Sequence, residues 1–269
     1  MRKISILMVS VLCMMMPVGA EAQVPTAFVS KGTTDIQAQP HTITQTSSGA
    51  QWAPVDPMVR SITMDNGLPS NAVRSVVQGS KGYMWFGTDN GLCRFDGYDV
   101  KTYYNPFTAI DQYVAALTAC EEGLLVGCNN GAYLFSYETD RFQKLSDKIT
   151  APVLNFSLDG DQNVWISTNG QGVFRYNRTT HELHQYPMKN IQGIVQCTLV
   201  DANNQVWMLS NHSKASIYHL NKSTDQFEAF PVRGDANKFY GLAMLASPDG
   251  NIYVGTWENG LYKLNADGS

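Results

Sequence analysis

The sequence predicts an all-β chain folded as a β-propeller, and three observations predict it. The first is self-similarity at a nearly fixed period. KGYMWFGTDNGLCRFD (81–96), EGLLVGCNNGAYLFS (122–136), QNVWISTNGQGVFRY (162–176) and GNIYVGTWENGLYKL (250–264) align directly, and NQVWMLSNHSKASIYHL (204–220) keeps the frame without the glycines. The second is a bulky residue at one place in each unit: Trp85, Leu125, Trp165, Trp207 and Tyr253, spaced 40, 40, 42 and 46 apart. The third is the turn that follows, carrying Gly91, Gly131, Gly172 or Gly260. Asn-Gly is a strong hairpin signal because both central residues must accept positive φ.

In chain order, residues 1–22 read as a signal peptide. Arg2 and Lys3 precede an apolar run over 4–16, Pro17 and Gly19 break it, and Ala20-Glu21-Ala22 supplies the small-x-small cleavage pattern. Cleavage is expected between Ala22 and Gln23. The run is too short to cross ~30 Å of hydrocarbon, which takes about 20 residues. Residues 23–57, rich in Thr, Ser, Gln, Ala and Pro, read as a flexible leader. A strand is expected over 58–64.

The repeats then occupy 58–269, with blades at about 72–104, 113–145, 153–186, 194–230 and 240–265. Each opens on an apolar or β-branched run, such as 72–77, 153–158 or 194–200. A polar turn follows, then a short strand with the bulky residue, the Gly turn, a third strand, and a closing strand at 100–104, 141–145, 182–186 or 226–230. Four antiparallel strands make a sheet that cannot bury both faces alone, so neighbours must stack on it. Stacking about an axis gives a propeller. A β-sandwich also uses short strands but has no reason to repeat this unit. The fifth unit shows three strands, so the arithmetic permits a closed five-blade ring, completed by 58–64, or an open arc of a larger seven-blade propeller.

Composition narrows the function. Of 269 residues, 43% are hydrophobic and only 16% charged, below the ~25% of an ordinary soluble domain. That supplies a core and excludes disorder as the main state. The net charge of −4 argues against nucleic acid or an anionic membrane as partner of the mature chain.

No catalytic constellation emerges, and neither cofactor nor metal is expected. His181 and His184 flank a strand start and should point apart. Asp159 and Asp161 around Gly160 lack the further ligands of a calcium loop and read as a blade turn. Cys93, Cys120, Cys128 and Cys197 would remain after export, where disulfides form; buried free thiols are the favoured reading. Trp257 stands out, in a hairpin-turn slot that other units fill with Asp89, Asn129 or Asn169. It is the candidate ligand-binding residue, placed to stack on a sugar face.

The stretch 61–104 resembles the opening repeat of two-component regulator propellers, through GLPSN at 67–71, VRSVVQ at 73–78, GYMWFGT at 82–88, DNGL at 89–92 and RFDG at 94–97. Later units match less well and the fourth is poorest. The resemblance implies a periplasmic sensor region of Bacteroides-type hybrid two-component histidine kinases, with an oligosaccharide ligand and, in the full-length sensor, further blades or a homodimer. Relatives continue through a Tyr-rich β-sandwich, a membrane helix and a kinase, so an N-terminal fragment or truncated member is expected. The competing reading is a secreted propeller enzyme acting on polysaccharides, a lyase or hydrolase. It would need paired carboxylates or a metal near the axis, and the inner strands offer almost none.

Overall fold

The computed structural model describes residues 61–107, 112–187, 194–211, 217–230, 232, 240–247, 250–257 and 260–264. The expected signal peptide, the cleavage site at Ala22 and Gln23, the leader at 23–57 and the first part of the expected leading strand lie outside the described residues.

The described chain is all β apart from one 3-10 turn at Met64–Asn66. Blade 1 comprises β1 (Val73–Gln78), β2 (Met84–Thr88), β3 (Gly91–Phe95) and β4 (Val100–Tyr103). Blade 2 comprises β5 (Val114–Ala119), β6 (Gly123–Cys128), β7 (Gly131–Ser136) and β8 (Arg141–Lys144). Blade 3 follows with β9 (Val153–Leu158), β10 (Asn163–Thr168), β11 (Gly172–Asn177) and β12 (Leu183–Tyr186). Blade 4 holds β13 (Ile194–Val200), β14 (Val206–Asn211), β15 (Ile217–Asn221) and β16 (Gln226–Ala229). Blade 5 is the three-stranded sheet β17 (Gly241–Ala246), β18 (Ile252–Thr256) and β19 (Leu261–Leu264). Each sheet is an antiparallel meander in sequence order.

One expectation fails at residue 64. The end of the anticipated 58–64 strand is coil and a 3-10 turn, because the following side chains close the chain on itself. Thr63 donates its backbone N–H to Asn66 Oδ1 at 3.0 Å, Met64 donates to Asn71 Oδ1 at 2.8 Å, and Gly67 turns the chain at φ 100°. Those short side-chain acceptors compete with a strand ladder.

The core lies between blades rather than within them. Trp85, Leu92 and Tyr103 of blade 1 pack with Val114, Leu124, Tyr133, Phe135 and Phe142 of blade 2. Leu125 and Ala132 of blade 2 meet Val153, Phe156, Ile166 and Phe174 of blade 3. Trp165, Val173 and Tyr186 meet Val195, Met208 and Tyr218 of blade 4, and Leu209 and Ile217 meet Ile252 and Val254 of blade 5.

A size rule interlocks these seams. On the second strand of blades 1 and 2, Gly87 and Gly127 leave space for the first inner-strand residue of the next blade. A Cβ on Gly87 would stand 2.7 Å from Val114 Cγ1, and one on Gly127 2.8 Å from Val153 Cγ1. At the seam of blades 4 and 5 the sizes are exchanged: Leu209 Cδ1 would stand 2.5 Å from a Cβ on Gly241. Every inner strand also carries a β-bulge at its start, at 73–75, 114–116, 153–155, 195–197 and 241–243. Such bulges bend the strand and sharpen its twist. Successive inner strands pack in the order β1, β5, β9, β13, β17, while β1 and β17 do not pack as neighbours do. Among the described residues the five blades therefore form an open arc.

Candidate functional site

The marker residues occupy corresponding seats. Each lies near the start of the second strand of its blade, at a matching register: Trp85 lies opposite Val77 and Arg94, Leu125 opposite Thr118 and Leu134, Trp165 opposite Ser157 and Arg175. Trp207 lies between Leu199 and His219, and Tyr253 between Leu245 and Lys263. Gly91, Gly131 and Gly172 open the third strands, and Gly260 immediately precedes the third strand of blade 5. At Gly131 the φ is 138°, and a Cβ there would stand 2.5 Å from the Ile149 carbonyl oxygen, so glycine is required twice over.

Six positions before two of the tryptophans stands an aspartate that sequence reading took for a plain turn residue. Asp159 accepts the Trp165 indole N–H at 2.8 Å, the Asn163 amide at 2.9 Å and the backbone N–H groups of Asp161 and Asn163. Asp201 treats Trp207, Asn203 and Gln205 the same way. The Asp161 carboxylate instead accepts the Asn204 side-chain amide of blade 4 at 3.0 Å. Among the described residues no cluster of three or more His, Cys, Asp or Glu is arranged to hold a metal.

The Asp159 network is one wall of a cavity of about 500 Å³ on blade 3, lined by Asn163, Arg175, Asn177, Glu182, Leu183 and His184. Its polar groups are held from behind. Asn177 donates to Asn163 Oδ1 at 2.9 Å, and its own Oδ1 receives the N–H groups of Thr179 and Thr180. Arg175 lies 5.7 Å over the rings of both Trp165 and Tyr186. It forks onto Asp225 of blade 4 at 3.1 and 3.5 Å. Tyr186 donates to the same carboxylate at 2.7 Å. Burial, then that bond, pushes the Tyr186 hydroxyl well above the ordinary tyrosine range. His184 packs edge-on against Tyr186 with its Nε2 3.9 Å from Asp225. Donors (Arg175, the amides) and an acceptor (Glu182) thus share one mouth.

The remaining candidates scatter. His181 shares a 2.7 Å hydrogen bond with Tyr176, away from His184, so the two histidines do not converge. Trp257 is 43% exposed on blade 5, its backbone N–H donating to Tyr240, and it does not line the blade 3 cavity. Cys93, Cys120, Cys128 and Cys197 are buried free thiols. Burial pushes Cys93 and Cys120 up to about 11 and Cys197 up to about 12, far from a reactive thiolate. At the start of β1, Arg74 pairs with Asp89 at 2.6 Å and lies 5.5 Å over Tyr113.

Residues 67–90 match the sequence profile of the two component regulator propeller family. The match falls on the Gly67 turn, β1, β2 and the Asp89-Asn90 turn of blade 1. No curated protein matches the propeller in sequence. Among solved structures it is similar to the extracellular domains assigned to two hybrid two component systems of B. thetaiotaomicron. For BT4673 the TM-score is 0.65 at 19% identity, covering 74% of this chain and 27% of that one. For BT3049 the TM-score is 0.65 at 19% identity, covering 77% and 30%. Virginiamycin B lyase of Staphylococcus aureus gives a TM-score of 0.63 at 15% identity, covering 75% and 70%. These likenesses establish the propeller fold. This chain spans less than a third of the two Bacteroides chains it matches. No helix among the described residues is long and apolar enough to cross a membrane.

Proposed function

We propose that this propeller is a periplasmic ligand-sensing domain that binds a neutral carbohydrate fragment in the blade 3 cavity. Longer chains of the same family would pass that binding to a histidine kinase. The observation that carries the reading is the cavity itself: Arg175, His184, Glu182 and two asparagines around one mouth, held by the Asp159 and Asp225 networks. Donors and acceptors gathered in one open cleft suit a ligand rich in hydroxyls, which offers both kinds of partner. The cavity straddles the strands whose side chains reach blade 4, so a ligand that prefers one setting of that seam shifts its population.

Thermal unfolding in the presence of a panel of neutral oligosaccharides tests this. At 100-fold excess over Kd, one of them should stabilise the chain by about 2.7 kcal/mol. Glu182→Ala and His184→Ala, both at exposed side chains, should abolish that shift while leaving the unliganded transition in place. A panel that never moves the transition, or a shift indifferent to both variants, overturns the site. Accumulation of cleaved product would overturn sensing in favour of a propeller enzyme.

A further inference from the structure

Blades 1 and 3 repeat one arrangement of arginine and tryptophan. Arg94 lies opposite Trp85 as Arg175 lies opposite Trp165, and the closing strands set Lys101 and His184 beside the two arginines. The turn ahead of each tryptophan also closes alike: Gly79 donates its backbone N–H to the Tyr83 carbonyl at 2.9 Å, and Asp159 to the Asn163 carbonyl at 3.1 Å. Tyr83 and Asn163 therefore hold the same place in the repeat. The other blades put Gly123, Gln205 and Asn251 there, and opposite their bulky residues stand Leu134, His219 and Lys263. Arginine and tryptophan come together in blades 1 and 3 alone.

The two blades fill that place differently. In blade 1 the Tyr83 ring lies under the Arg94 guanidinium, 4.6 Å from its centroid to Cζ, and packs on the apolar cluster of the seam with blade 2. In blade 3 the shorter Asn163 side chain donates to Asp159 and accepts from Asn177, both at 2.9 Å. Asn163, Arg175 and Asn177 then line the cavity of about 500 Å³. A second ring is exchanged as well. Tyr137 of blade 2, which stacks on Trp85 at 5.7 Å, follows Ser136 of a hairpin turn, and the residue after the matching Asn221 of blade 4 is the exposed Lys222.

Blade 1 thus carries, within the chain, a stand-in for what the blade 3 cavity would hold. We infer that the cavity receives a planar aromatic ring, carried on the carbohydrate fragment, in the seat that Tyr83 fills in blade 1. A guanidinium is attracted to the face of such a ring. Arg175 is already fixed by its fork onto Asp225, so little side-chain freedom is lost when a ring arrives. Glu182 and the asparagine amides at the mouth are left for the hydroxyls of the attached sugar. The inference rests on the cavity being the ligand site proposed above, and adds the ring to what that site takes.

Titration of the full chain with p-cresol, the tyrosine side chain as a free molecule, tests it by two-dimensional NMR. Saturable shifts are expected at the Trp165 indole N–H and the Arg175 guanidinium. The saturated analogue methylcyclohexanol, which has no π-face, should bind at least about threefold more weakly. Asn163→Tyr writes the blade 1 residue into blade 3 and should abolish the response. Tyr83→Asn is the reverse exchange, and should open a second p-cresol seat read at the Trp85 indole; it decides alone if circular dichroism shows Asn163→Tyr unfolded. No response to p-cresol, equal binding of the two compounds, a response that survives Asn163→Tyr, or a Trp85 signal unmoved in Tyr83→Asn each overturns the inference. Oligosaccharide stabilisation without a p-cresol response keeps the sugar reading and removes the ring. A p-cresol response without stabilisation by any oligosaccharide keeps the ring and removes the sugar.

Discussion

A single carboxylate decides how each tryptophan is held. Asp159 receives four donors, among them the buried indole N–H of Trp165. Blade 1 has Gly79 at the matching place. There the Trp85 N–H is buried without a partner, and Tyr137 of blade 2 stacks on the ring at 5.7 Å instead. A Cβ at residue 79 would stand 2.6 Å from the Tyr137 hydroxyl and 2.8 Å from Trp85 Nε1, so the tyrosine has taken the room an aspartate side chain would need. Asp159→Ala should therefore cost about 2–3 kcal/mol in urea unfolding, because it strands a buried donor as well as losing bonds. The six-residue spacing from Asp to Trp was visible in the sequence. Its meaning was not, because Asp-Gly-Asp is equally ordinary turn chemistry and nothing local says where an indole N–H will point.

At the level of strands and turns, two of the seams share a device. Tyr103 ends β4 and donates to Asp140 at 3.4 Å, while Lys101 reaches the same oxygen at 3.0 Å. Tyr186 and Arg175 do likewise for Asp225. Both aspartates sit in left-handed turns, at φ 54° and 50°, ahead of Phe142 and Phe227, which enter the seams. Between blades 2 and 3 the corresponding turn residue is His181, which bonds back to Tyr176 of its own blade. Asp225→Ala should lower stability by about 1–3 kcal/mol, since it leaves a half-buried tyrosine hydroxyl and guanidinium without their acceptor. Asp140→Ala should cost less than 1 kcal/mol, as Lys101 returns to water. Parallel denaturant titrations of the two variants check the order. The strands within the blades were legible to within about one residue, unlike the expected 58–64 strand, since alternation and Asn-Gly turns fix them locally. The bulges and cross-blade clamps were not, because they depend on what the neighbouring sheet presents.

For the whole molecule, the period of the sequence announced a stack of blades, and the family match and solved relatives agree with it. What periodicity left open was closure. A five-blade ring and an arc have the same repeats, and among the described residues it is the packing order of the inner strands, with β1 and β17 not packed as neighbours, that tells them apart. The cavity on blade 3 was likewise invisible: its lining comes from three strands whose residues look individually unremarkable. Trp257 drew attention because it is aromatic in a turn, a chemical oddity rather than a positional one.

Because the apolar clusters sit in the joints and not in the sheets, no blade owns a core of its own. Each draws its cohesion from the sheets on either side, and among the described residues blades 1 and 5 have a single such neighbour. Loosening should therefore travel inward from the extremities rather than strike at random. Amide hydrogen exchange would reveal it: β18 and β19 should trade deuterium well before β6 and β10, whose backbones are clasped from both directions. Uniform protection across all five sheets would mean that the chain melts as one body instead.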